Sequence, residues 1–84
     1  VQQPTIGRIV HYVLPETGRN PGQVRPGIVV QVWKPIDPAD ARSGTVNLHV
    51  VRDGCNDTGV EDHAYTVHYD PGHAPGTWHW PPRD

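Results

Sequence analysis

Ten prolines and nine glycines punctuate the 84 residues at nearly regular intervals, and this punctuation limits what the chain can fold into. Between them lie short runs rich in Val, Ile, Thr and Tyr, which suit the pleated, half-buried surface of a sheet. No stretch sustains the 3.6-residue apolar period of a helix. The pattern predicts five strands, Ile6–Leu14, Gly27–Trp33, Thr45–Arg52, Ala64–Tyr69 and Thr77–Trp80. The connections Pro15–Pro26, Lys34–Gly44, Asp53–His63 and Asp70–Gly76 carry Pro-Gly, Asp-Gly or comparable turn signals. Only Pro38–Arg42 reads as a turn of helix, with Asp37 as its cap.

Strict alternation assigns each strand two faces. One set holds Val10, Tyr12 and Leu14, then Ile28, Val30 and Val32, then Val46, Leu48 and Val50, and finally Val67, Tyr69, Trp78 and Trp80; it reads as a core. The other mixes His11, His49, His68 and His79 with Ile9, Val13, Val29, Val51 and Trp33. The expected fold is all-β, a single small domain over residues 1–84, built as a strongly bent five-stranded antiparallel barrel of the Src-homology-3 type. A mixed outer face of this kind points to an interaction surface, and so to a homo-oligomer. A chain this short has a thin core, which assembly supplements.

Net charge is −2 and the isoelectric point is near 6.3, so the broadly basic balance of a general nucleic-acid binder is missing. Cys55 is the single cysteine, which excludes an intramolecular disulfide and a cysteine-based zinc site within one chain and fits a reducing cytoplasm. The apolar runs are too short to span a membrane as a helix, and no membrane partner is expected.

The segments Pro4-Thr5-Ile6-Gly7-Arg8-Ile9-Val10-His11-Tyr12, Val46-Asn47-Leu48-His49-Val50, Asp53-Gly54-Cys55-Asn56-Asp57 and Pro75-Gly76-Thr77-Trp78-His79-Trp80-Pro81 carry a resemblance. Together they resemble a family of small proteins of tailed phages and prophages, the closing Gly-Thr-Trp-His-Trp-Pro being the most specific element. The resemblance covers most of the chain, with Pro15–Pro26 and Lys34–Gly44 as its variable parts. It implies an accessory protein, either a virion component or an agent acting on host defence in the bacterial cytoplasm. It carries over no catalytic residues.

Six histidines are the most unusual feature of the composition. Imidazole serves as acid, base, metal ligand or hydrogen-bonding surface group near neutral pH, and position alone does not separate these uses. No HExxH-like spacing or compact carboxylate set accompanies them, so no metal or cofactor is assigned. Trp33, Tyr65, Tyr69, Trp78 and Trp80 offer stacking surfaces for a purine, and Arg8, Arg25, Arg52 and Arg83 offer charge for phosphates, although most of these aromatics are also needed for the core. The ligand-binding candidates are Arg8, His11, Trp33, His49, Arg52, His68 and His79, for a small nucleotide-like ligand; no catalytic residue is assigned. Asp53–Gly59 lacks the alternating oxygen ligands and closing glutamate of a calcium loop and reads as a hairpin connection, as does Asp70–Gly72. A phosphodiesterase using paired histidines and a virion docking protein stand as alternatives.

Overall fold

The computed structural model describes residues 2–82, so Arg83 lies outside the described residues. It contains five strands and, among those residues, no helix. They are β1 (Ile9–Val13), β2 (Val24–Lys34), β3 (Thr45–Val50), β4 (His63–Val67) and β5 (Trp78–His79). All pair antiparallel in one sheet of order β4-β3-β2-β1-β5. The sheet curls until its two edges meet. Tyr69, just past β4, bridges Trp78 of β5 in parallel. Trp78 N donates to His68 O at 3.1 Å, and Asp70 N donates to Trp78 O at 2.9 Å.

The five strands fall where the β-rich runs predict, but their ends and one register differ. β5 shrinks to two residues and β1 begins at Ile9, because residues 5–8 form a turn with Arg8 N donating to Thr5 O. β2 starts earlier, at Val24, and runs through Pro26. Residues 38–42 form turns, not a helical turn; Asp37 Oδ1 accepts from Ala39 N at 3.0 Å within a single tight bend.

The larger correction concerns β2. Val29, expected outside, is 0% exposed, while Val30, expected in the core, is 47% exposed. The cause is an extra residue in β2. Val29 pairs Leu48 and Gln31 pairs Asn47, so two steps on β2 answer one on β3, and Val30 is left over. A bulge resets the alternation, so the strand's first half is flipped relative to a period-two reading. Ile28 accordingly pairs Ile9 and His49 on the outer side, and Gly27 turns inward against Leu48. A side chain at Gly27 would begin 3.2 Å from Leu48 Cδ1, so the glycine makes room for that leucine. Trp33 is a second extra residue, between Val32 opposite Val46 and Lys34 opposite Thr45. Two bulges in one strand increase its bend and twist, which supplies the curl that brings the sheet edges together.

The core gathers Val10, Tyr12, Leu14, Val29, Val46, Leu48, Val50 and Trp78, closed by Ile36, Val60, Ala64 and Val67. Val13, expected outside, is buried too, because its backbone is bracketed by Val24 in β2 and by hydrogen bonds to Gly76 and Thr77. Tyr69 and Trp80 only flank this core, partly buried.

Three substitutions test the register. Leu48→Ala should cost about 2–4 kcal/mol through the lost contacts and the cavity. Val29→Ala should cost about 2 kcal/mol, and Val30→Ala less than about 0.5 kcal/mol. Urea denaturation measures all three. Equal costs at Val29 and Val30 would contradict the bulge.

Candidate functional site

Residues directly opposite in an antiparallel ladder share a face, so the pairings place side chains across the sheet. One outward row runs Ile9, Ile28, His49, His63 across β1 to β4. The adjoining row runs His79, His11, Pro26. Three of the four histidines expected to share a face, His11, His49 and His79, lie in these two rows. His68 follows Val67, which pairs Val46 in the core, so it keeps the outward phase but sits at the far end of β3, where its ring meets Thr45.

The first group of candidates surrounds His79. Its ring stacks on His73 with centroids 3.5 Å apart and 16° between planes, and meets the edge of His11 at 5.6 Å. His79 is 5% exposed, and its Nδ1 is buried without a hydrogen-bond partner. Burial, then the neighbouring His73 and His11, holds its pKa below the ordinary value; Asp70 opposes this. On the other side of β5, where Trp80 packs against Trp78 and the core, the Arg8 guanidinium lies 5.3 Å from the Trp80 ring centroid, a cation–π geometry.

A second group lies toward β4. His49 meets the edge of His63 at 5.4 Å, and His63 lies parallel to Tyr65 at 6.2 Å. His63 Nδ1 contacts Asp62 Oδ1 at 2.8 Å. His49 and Arg52 line an open cleft of about 500 Å³, but Asp53, Asp57 and Asp62 line it too. Arg52 directs Nη1 to Val60 O at 2.9 Å.

Trp33 stands apart, 60% exposed, with Nε1 donating to Asn47 Oδ1 at 3.0 Å. The same oxygen accepts from Thr66 N at 2.9 Å, where the chain takes a left-handed φ of 55° that a β-branched residue rarely adopts. Asn47 thus fixes an exposed indole and a strained bulge together. His68 lines a third region, a cleft of about 650 Å³. Thr45 Oγ1 donates to Arg42 O, so His68 Nδ1 is the donor in its 3.0 Å contact with that hydroxyl. The seven candidates therefore fall into five places: His11 with His79, His49 with Arg52, and Arg8, Trp33 and His68 each apart.

Arg25, considered for phosphate, is committed elsewhere. Its Nε donates to Asp57 Oδ2 at 2.6 Å and its Nη2 to Asp57 Oδ1 at 2.9 Å. Asn20 Nδ2 and Asp53 N also donate to this fully buried carboxylate, tying the loops at residues 14–23 and 51–62 together. The Arg25 hydrogen bonds, helped by those two donors and opposed by desolvation, hold Asp57 well below the usual carboxylate range. Asp53 accepts from Cys55 N and Asn56 Nδ2, so its oxygens organise a turn. Among the described residues, no three His, Cys, Asp or Glu side chains are grouped to hold a metal ion.

Sequence reasoning passed over His63 and His73, and weighed Tyr65 only as a stacking surface. His63 faces outward only because of the bulge in β4, since strict alternation from Val67 would turn it inward. His73 gave no signal, since its ring reaches His79 through a turn in which its own φ is 64°. No protein-family model, curated protein or solved structure matches the chain.

Acid should destabilise the fold in two stages. His79 in the folded protein titrates below the ordinary 6.5, so the unfolded chain takes up its proton first. That contribution is complete above 6.5 and declines as pH falls below it. Asp57 likewise titrates below the ordinary 3.8 when folded, so its contribution declines as pH falls below that value. Urea midpoints measured across pH should show both declines, with the upper one missing in His79→Phe. A flat profile between neutrality and the carboxylate range would contradict the packing of the three imidazoles.

Proposed function

We propose that this is a non-enzymatic binding protein of phage type, which self-associates through the outward face of its sheet and sequesters a small nucleotide-like ligand in the host cytoplasm. One observation carries the reading. The core closes on itself, yet the outer surface still shows Ile9 at 58% exposure and Tyr65 at 71%, together with Trp33 and Val51. Apolar surface of this kind, interleaved with imidazoles, marks an interaction face. The pairing of Arg8 with Trp80 and, separately, the imidazoles of His11 and His79 support the ligand class, since such groups stack on a base and pair with a phosphate. The strand order and the stitched edges support reading the curled sheet as a small barrel of the Src-homology-3 type.

The self-association face needs one revision. Val29 was expected to belong to it but lies in the core, so a charge there would unfold the domain instead of separating subunits. Ile9 and Val51, expected on the same face, are exposed there. Native mass spectrometry of the protein purified from infected cells tests the proposal. A discrete oligomer retaining a small ligand is expected, with Ile9→Glu and Val51→Glu together giving a folded monomer. A bare monomer would contradict the reading and favour docking on a virion. A ligand recovered chemically altered, in many equivalents per protein, would favour the phosphodiesterase alternative.

A further inference from the structure

The cleft beside His68 differs in character from the outward face. Its walls come from the connection at residues 35–44 and the connection at residues 68–77. Ile36, Tyr69 and Pro71 give it an apolar lining. That floor depends on Gly44, where a Cβ would fall 2.6 Å from Tyr69 Cβ and 2.9 Å from Ile36 Cγ1, at a φ of +64°. A volume of about 650 Å³ is in the range of small-molecule sites, which combine apolar walls with a few placed polar groups.

The polar groups at its rim are mainly acidic. Asp37, Asp40 and Asp70 line it, and no lysine or arginine does. Each carboxylate is held in place by backbone donors: Asp37 by Ala39 N at 3.0 Å, Asp40 by Arg42 N at 2.9 Å, and Asp70 by Gly72 N at 2.8 Å. Lys34, outside the lining, pairs with Asp40 and neutralises one of the three charges. His68, the base within the lining, already donates to Thr45. The rim therefore keeps a net negative charge, set against an apolar floor and fixed before any ligand arrives.

We propose that this cleft is a second binding site, for a small organic cation: an ammonium or guanidinium carried on an apolar body. A phosphate-bearing ligand meets repulsion here, so the site is separate from the one proposed above, and His68 belongs to it. The apolar body covers Ile36 and Tyr69, and the cation sits among carboxylates whose orientation costs nothing further on binding.

Amide-resolved NMR titration with three ligands of one shape tests this: phenethylamine, which is cationic at neutral pH, neutral phenethyl alcohol, and anionic phenylacetate. The amine should shift the Ile36, Ala41 and Tyr69 signals saturably and bind about tenfold or more tightly than the alcohol, as one near unit charge allows. Phenylacetate should give no saturable shift there. Asp37→Asn keeps an oxygen for Ala39 N while removing a charge. It should weaken the amine several-fold, leave the alcohol unchanged, and preserve the melting temperature. Equal binding of amine and alcohol, a preference for phenylacetate, amine shifts absent or centred elsewhere, or an unaltered Asp37→Asn titration would each overturn the proposal.

Discussion

Trp78 sits where the two ends of the sheet meet, and closure runs through its backbone and its ring together. The backbone pairs with Tyr12 on one side and bridges Tyr69 on the other. The ring is fully buried, tilted against Tyr69 at 4.9 Å and edge-on to Trp80 at 5.0 Å, with Nε1 donating to Gly44 O at 2.7 Å. A buried indole needs a partner for its N–H, and Gly44 supplies one from the neighbouring connection. A two-residue strand has little ladder energy of its own, so β5 holds its place through this one side chain. Closure then decides what is left outside. With one face of the sheet wrapped around Trp78, the opposite face carries Ile9, Ile28, His11 and His49 into contact with whatever the protein meets.

A second constraint holds the other end of the molecule. Asp57 is buried as an ion, and burial of a charge is tolerable only when its oxygens are fully engaged. Arg25, Asn20 and the Asp53 amide meet that condition. The long connection at residues 51–62 therefore has a fixed shape without secondary structure. That shape sets the cleft beside His49 and Arg52. It also explains why Arg25 contributes to architecture and not to ligand charge.

How much of this was legible in the sequence depended on periodicity. Thr45–Val50 alternates cleanly, and its inner and outer residues were assigned correctly. Gly27-Ile28-Val29-Val30-Gln31-Val32 is apolar on both faces, so nothing in its pattern marks Val30 as an extra residue. The placement of Val29 failed for that reason. That His11, His49 and His79 share one face follows from alternation alone, but the burial of His79 under His73 does not. Nor do their contacts, because the His73 ring arrives from a connection and the partner of His63 is set by a register that only pairing defines. The separation of His68 from the others is one of position along the sheet, beside Thr45 and not His49, which alternation does not report. Asp57 read as a turn residue, since the fork of Arg25 reaches it across 32 positions of sequence.

The sheet divides into an inner side completed by Trp78 and an outer side that we propose binds. Two-dimensional amide and indole NMR spectra, recorded on one sample series from micromolar to millimolar protein, test that division directly. Signals of Ile9, Ile28, His49 and Val51 should move or broaden as concentration rises, while the Trp78 indole resonance stays fixed. Spectra that do not change with concentration, or changes centred on Trp78 and the strand ends it joins, would contradict it.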